Sequence, residues 1–304
     1  MTKAAVIGLG TMGPGIAATL ARAGMTVSAY DVSAEQRAKA PDLAKQAGGV
    51  LAALGVADRT VAPIAFVDGM KAALSGAELA VETVPEKLEI KRAVFKEIDG
   101  IVAKTCVIAS NTSGIPITKL QDGNSAPGRV VGMHWSNPAH VIPMIEVIAG
   151  NRTTQATVTW MVDTIKDLGL LPVIVQKDVP GFVENRVLYA IMRECVDLVE
   201  QGVISAEGLD TCVSWGIGYK LSVIGPMALL DMAGLDIYQA VGGYLNKDLC
   251  NRADVAAYVT RRTAEGKLGM KTGGGIFGYT PEQVGQLRAA RARKLVAVRK
   301  ALEG

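Results

Sequence analysis

The sequence holds two histidines, His134 and His140, and both fall in the stretch Gly132-Met133-His134-Trp135-Ser136-Asn137-Pro138-Ala139-His140. His134 directly follows an apolar run that reads as a strand, at the edge where open α/β sheets present their ligand-binding groups. A neutral imidazole there can take a hydroxyl proton while the carbon bearing that hydroxyl loses a hydride. Glu146, twelve residues further on in a returning strand, is a candidate to hold the other ring nitrogen and stabilise the imidazolium. Read alone, either residue also suits a structural role. Their company favours chemistry: Ser110-Asn111-Thr112-Ser113 ends the preceding strand, and Gly181-Phe182-Val183-Glu184-Asn185-Arg186 opens the C-terminal part. These segments offer hydroxyl and amide donors where a substrate oxygen would need holding. Each alone would serve equally as a turn or helix cap.

Such a base needs a hydride acceptor, and the N-terminus supplies a candidate site. Gly8-Leu9-Gly10-Thr11-Met12-Gly13 follows an apolar strand and opens a helix, the context of a dinucleotide fingerprint. Gly8 permits the tight turn, Gly10 lets the backbone approach a pyrophosphate, and Gly13 lets helix and strand pack closely. The free N–H groups of the helix start then face the phosphates. Asp31, 23 residues beyond Gly8 at the end of the second strand, is placed to accept from the adenine-ribose hydroxyls. Val32 and Ser33 follow it without a basic clamp for a 2′-phosphate, so NAD is expected over NADP. FAD uses the same fingerprint. Outside that context the glycines would be a plain turn and Asp31 a helix cap.

Short apolar runs alternating with helical patterns must position these groups. Strands are expected near Ala4–Ile7, Thr26–Tyr30, Leu79–Thr83, Cys106–Ala109, Val130–Met133, Ile145–Ile148 and Pro172–Val175, with helices at Met12–Ala23, Ile90–Ile98 and Thr154–Leu168. Ala40–Asp58 is helical in composition but poorly capped. From Gly181 the strand pattern stops, and Glu184–Gln201, Ala206–Trp215, Pro226–Leu245, Asp254–Glu265 and Pro281–Ala301 read as helices. The expected fold is α/β: a Rossmann-type, mainly parallel sheet in residues 1–178, followed by an all-helical domain in 179–304. Two domains suit 304 residues.

A net charge of +3 without a basic run gives no electrostatic support for a nucleic-acid partner. The arginines and lysines of the last helix alternate with Ala, Leu and Val, as on a solvated face. No apolar run reaches the ~18 residues of a membrane span. Only Met1, Thr2 and Lys3 precede the first apolar stretch, too few for a signal or transit peptide, and a cytoplasmic location is expected. Cys106, Cys195, Cys212 and Cys250 have neither CxxC spacing nor nearby histidines, which suggests reduced thiols and no metal site.

The set Gly8–Gly13, Pro85-Glu86-Lys87 with Lys91, Ser110–Ser113, Gly132–Pro138, Glu146, Gly181–Arg186, Gly225-Pro226, Gly234-Leu235-Asp236 and Gly269–Gly273 resembles the 3-hydroxyacyl-CoA dehydrogenase family over nearly the whole chain. The resemblance implies an NAD-dependent dehydrogenase, a homodimer formed through the helical domain, and a His–Glu catalytic pair. Carried over motif by motif, His134 is the base and Glu146 its partner. Ser113 and Asn185 contact the substrate oxygen, while Glu86, Lys91 and Asn111 join Gly8, Gly10, Thr11, Met12, Gly13 and Asp31 around the cofactor. Spacing alone would also make Glu86 and Lys91 an exposed charge pair in the first turn of a helix.

Acyl-CoA members usually carry two aromatics after the histidine; here Trp135-Ser136 stands instead, with His140 where an apolar residue is usual. The Ala- and Gly-rich segment near Ala40–Asp58 offers only Lys45 and nearby Arg59 to CoA phosphates. A small free carboxylate is therefore the expected substrate class. The stretches Met133–Pro138, Pro143–Ile148, Val213–Lys220 and Gly225–Met232 are most similar to a family member that oxidises a pyridine aldehyde of vitamin B6 breakdown, through its hydrate. His140, Lys220 or Arg186 would be available to a ring carboxylate, although a structural role is the commoner one for each. The alternatives are a (S)-3-hydroxybutyryl-CoA dehydrogenase and a non-catalytic, crystallin-like NAD-binding protein.

Overall fold

Strands that are dry on both faces favour parallel pairing under helices, and the apolar runs of the first half behave accordingly. The computed structural model describes residues 2–56 and 63–303. The chain divides into two units, Met1–Asn185 and Arg186–Gly304. The first contains β1 (Lys3–Ile7), α1 (Gly13–Arg22), β2 (Thr26–Tyr30), α2 (Ala34–Ala53), β3 (Ala65–Phe66), α3 (Met70–Leu74), β4 (Leu79–Glu82), α4 (Leu88–Ile101), β5 (Val107–Ser110), α5 (Ile117–Leu120), β6 (Val130–Trp135), β7 (Met144–Ala149), α6 (Gln155–Asp167) and β8 (Leu171–Val175).

Among the described residues, eight strands form one sheet in the order β3-β2-β1-β4-β5-β6-β7-β8. Every neighbouring pair is parallel except β6 and β7, so the expectation of a mainly parallel Rossmann-type sheet holds. Strand order reverses between β1 and β4, which opens a crevice at their carboxyl ends.

Period-two alternation assigns the side chains to layers. Val131, Met133 and Trp135 of β6 join the core that includes Ile16 and Leu20 of α1 and Ile165 of α6. Val130 lies on the opposite face with Phe95 and Ile98 of α4, Leu120 of α5 and Phe182. His134, four residues on from Val130 in the same strand, shares that second face.

Several boundaries differ from the sequence reading. His134 lies inside β6 and not after it, because pairing with β7 carries the strand on to Trp135. The helix expected from Ala40 begins at Ala34, where the Ser33 side chain accepts from the Gln36 N–H; Pro41 sits within it. β3 is two residues long and leaves little pattern to detect. Asp58 and Arg59 lie outside the described residues.

The second unit is helical. α7 (Glu184–Glu200) starts in the last two residues of the first unit. It is followed by α8 (Ala206–Cys212), a π-helical turn (Val213–Gly218), α9 (Tyr219–Leu221), α10 (Pro226–Ala233), α11 (Leu235–Leu245), α12 (Ala257–Ala264) and α13 (Pro281–Glu303). The single helix expected over Pro226–Leu245 is broken at Gly234, whose φ of +101° lies outside helical space. All four cysteines are free. No single helix among the described residues is long and apolar enough to cross a membrane.

Candidate active site

Antiparallel register places His134 directly opposite Glu146. Opposed residues share a sheet face, and here their side chains meet: His134 Nδ1 lies 2.7 Å from Glu146 Oε2. Both are buried, at 5% and 1% exposure. The other carboxylate oxygen, Oε1, accepts from the N–H groups of Val183 (2.9 Å) and Glu184 (3.1 Å). Gly181 (φ +79°) and Phe182 (φ +48°) occupy the left-handed region just before those amides. A left-handed conformation is costly for a phenylalanine, roughly 1–2 kcal/mol. It turns the chain so that two consecutive donors converge on Glu146, and the buried Phe182 ring packs 5.9 Å from the imidazole. Burial pushes the Glu146 carboxyl up, but the bonds from His134, Glu184 and Val183 outweigh it and hold the group below its ordinary range. The arrangement fixes a carboxylate against Nδ1 and leaves Nε2 as the ring nitrogen that Glu146 does not engage.

The loops around the dyad are tied together. Asn185 Nδ2 donates to the Ser113 carbonyl (2.6 Å), and Asn111 Oδ1 accepts from the Trp135 N–H (2.9 Å). Glu86 Oε1 accepts from Thr112 Oγ1 (2.6 Å), the Ser113 N–H (2.9 Å) and the Gly114 N–H (3.1 Å), which fastens the loop after β4 to the loop after β5. Behind Glu86 lies Lys91, whose side chain is 0% exposed; its Nζ is 2.8 Å from Glu82 Oε1 and 3.4 Å from Glu86 Oε2. Lys91 is thus neither a surface charge nor part of the cavity lining, whereas Glu86 lines the cavity. Burial pushes the Glu82 carboxyl up, against the opposing influence of Lys91, the Ser110 hydroxyl and the Val84 N–H.

The crevice between β1 and β4 widens into a cavity of about 690 Å³ lined by Gly8, Gly10, Thr11, Met12, Asp31, Glu86, Asn111 and Ser113, among others. The residues fit a dinucleotide. Gly8 has φ +107°, and a Cβ there would sit 2.7 Å from the Thr83 carbonyl carbon; a Cβ on Gly13 would sit 2.0 Å from the Gly8 carbonyl oxygen. At Gly10 a Cβ would meet no protein atom within 4 Å, so space remains beside the backbone for a phosphate. Asp31 does not cap α2. Its Oδ2 accepts from the Leu9 N–H and its Oδ1 from the Ser33 N–H, both at 2.7 Å, which locks the carboxylate to the glycine-rich loop with lone pairs to spare.

Sequence reasoning did not single out Glu82, Phe182 or the hydrogen bond from Ser136 Oγ to Glu184 Oε2. Ser136 and Glu184 both occur in the motifs quoted above, but they are 48 residues apart and share no periodic signal. His140 is half-buried, and burial pushes its imidazole pKa down. Its ring packs on α1, with Nδ1 3.0 Å from where a Gly15 Cβ would stand. Arg186 and Lys220 belong to the second unit.

Residues 3–179 match the family described as 3-hydroxyacyl-CoA dehydrogenase, NAD binding domain, and residues 181–279 match 3-hydroxyacyl-CoA dehydrogenase, C-terminal domain. A 5-formyl-3-hydroxy-2-methylpyridine 4-carboxylate 5-dehydrogenase of Mesorhizobium japonicum is 60% identical over 302 residues, covering 99% of this chain and 98% of the relative. The human mitochondrial hydroxyacyl-coenzyme A dehydrogenase is 35% identical over 286 residues, 90% of each chain. The crystal structure of a 5-formyl-3-hydroxy-2-methylpyridine 4-carboxylic acid 5-dehydrogenase, described as an NAD+-dependent dismutase, superimposes with a TM-score of 0.98 at 59% identity, covering 100% of this chain and 99% of that one. With both halves matched and the sheet order, glycine loop and register-paired dyad in place, the chain belongs to the 3-hydroxyacyl-CoA dehydrogenase family of NAD-dependent oxidoreductases.

Proposed function

We propose that this NAD-dependent dehydrogenase oxidises the aldehyde of 5-formyl-3-hydroxy-2-methylpyridine 4-carboxylate, as its hydrate, to the dicarboxylate. The observation that carries the reading is the buried His134–Glu146 pair at 2.7 Å, in a chain 60% identical to a dehydrogenase of that name. His134 takes a proton from one hydroxyl of the hydrate. Glu146 stabilises the resulting imidazolium through Nδ1. Ser113 and Asn185 hold the substrate oxygen beside the ring. Gly8, Gly10, Thr11, Met12 and Gly13 cradle the pyrophosphate, Asp31 the adenine ribose, and Glu86 and Asn111 the nicotinamide end, with Lys91 acting through Glu86. NAD, when bound, supplies the hydride acceptor.

A free carboxylate suits the site better than a CoA ester, because α2 carries Lys45 as its only cation from Ala40 to Ala53. Residues 1–178 form the cofactor domain in this reading, and 179–304 the substrate and dimerisation domain. A homodimer is supported by the exposed apolar side chains of α10 and α11, among them Met232 at 74% and Leu235 at 61% exposure. We place the protein in the cytoplasm and assign it no nucleic-acid or membrane partner. Absorbance at the NADH band tests the substrate. The pyridine aldehyde with NAD should produce NADH faster than a panel of hydroxy acids, and acetoacetyl-CoA should not consume it. Rapid NADH oxidation by acetoacetyl-CoA, unaffected by free aldehydes, would overturn the reading. Sedimentation velocity tests the dimer, which a purely monomeric profile would exclude.

A further inference from the structure

Oxidising an aldehyde to an acid requires a water molecule to be added to the carbonyl, and the His134–Glu146 pair has no group to spare for that water. Glu146 Oε2 faces His134, and Oε1 accepts from two backbone amides. A second carboxylate stands beside the pair. Glu184, Glu146 and His134 each bring a donor or acceptor atom within 4.8 Å of the other two. The buried Ser136 donates its hydroxyl to Glu184 Oε2, which fixes the carboxylate; Oε1 makes no hydrogen bond among the described residues. Glu184 is half-buried, unlike Glu146, and so has access to water. It begins α7, where the helix N-terminus favours a negative charge.

Building on the proposed function, we propose that Glu184, held by Ser136, is the catalytic base that hydrates the aldehyde. Water forms the new C–O bond to the carbonyl carbon while one of its protons passes to Glu184. The carbonyl π-electron pair moves to oxygen, which takes a proton from the His134 imidazolium. Oxidation state does not change in this step. The products are the aldehyde hydrate, a neutral His134 and a protonated Glu184, which returns its proton to solvent. Neutral His134 is the form that takes the hydroxyl proton in the following oxidation. One site thus alternates two bases: Glu184 for the water and His134 for the hydrate.

Comparing the two directions of aldehyde turnover tests this, because oxidation consumes a water and reduction by NADH does not. The probe is the pyridine aldehyde, assayed separately with NAD and with NADH. In Glu184→Gln, which retains an acceptor for Ser136, the ratio of oxidative to reductive kcat is expected to fall at least ~10-fold. Ser136→Ala should lower the same ratio by a smaller factor, and NADH fluorescence titration of both variants verifies an intact cofactor site. A smaller fall in Glu184→Gln, or equal losses in both directions, overturns the assignment. A wild-type protein inactive in both directions would instead overturn the proposed function and is recognisable as such.

Discussion

Glu146 faces His134 because the two residues are a register pair in the antiparallel β6–β7 ladder, so the distance between carboxylate and imidazole is set by strand pairing and not by a loop. Sheet pairs are among the most rigid ways to hold two side chains together, and catalytic geometry benefits from that rigidity.

The imidazole is predicted to carry proton transfer and not cofactor affinity. Replacing His134 by Gln should lower turnover by roughly 10²–10⁴-fold, while titration with NADH shows nearly unchanged binding. Unaltered turnover would remove His134 from the chemistry.

Acid should weaken the protein partly through Glu146. Its carboxyl is held below the ordinary value of 4.5 in the folded chain, so the unfolded chain binds the proton more readily. The associated stability is complete above the unfolded value and disappears as pH falls through the folded one. Melting temperature measured from about pH 6 downward should fall less steeply in Glu146→Gln than in wild type over the acid end. Parallel curves would contradict the assignment.

The buried Lys91–Glu82 pair gives a stability prediction. Lys91→Met strands a desolvated carboxylate and should cost about 3–5 kcal/mol in urea unfolding. Replacing both, as Glu82→Leu with Lys91→Met, should recover most of that loss. A double variant no more stable than the single one would show that packing, and not the orphaned charge, dominates.

Asp31→Ala should weaken NAD binding by roughly tenfold, the scale of one hydrogen bond to a charged group. It should also narrow the preference over NADP, since the carboxylate is what repels a 2′-phosphate. Because Asp31 also accepts from Leu9 and Ser33, looser packing of the glycine-rich loop should accompany the change, visible as faster amide exchange at Leu9. An undiminished NAD preference would contradict the ribose role.

Much of this was legible in the chain. Dry strands marked β1, β4 and β5, and the glycine spacing marked the crevice, because backbone conformation and close approach act locally. The pairing of His134 with Glu146 was readable because their twelve-residue separation spans one turnaround between two strands. Other features depend on distant partners. Trp135 extends β6 only because Ile145 pairs with it. A lysine such as Lys91 reads as a surface residue until Glu82 and Glu86 are found beside it. Ser136 and Glu184 meet through the fold, with no sequence period linking them. Gly234 was visible, but its positive φ was not, and so one helix was expected where two occur.

Beyond Ser136, the connection from 137 to 143 joins the two strands of the His134–Glu146 pair without helping to align them, since the ladder does that. Its composition can therefore change while the His134–Glu146 pair stays fixed. Descendants of one ancestral chain could acquire new substrates by rewriting this short bridge, leaving the paired imidazole and carboxylate as they inherited them.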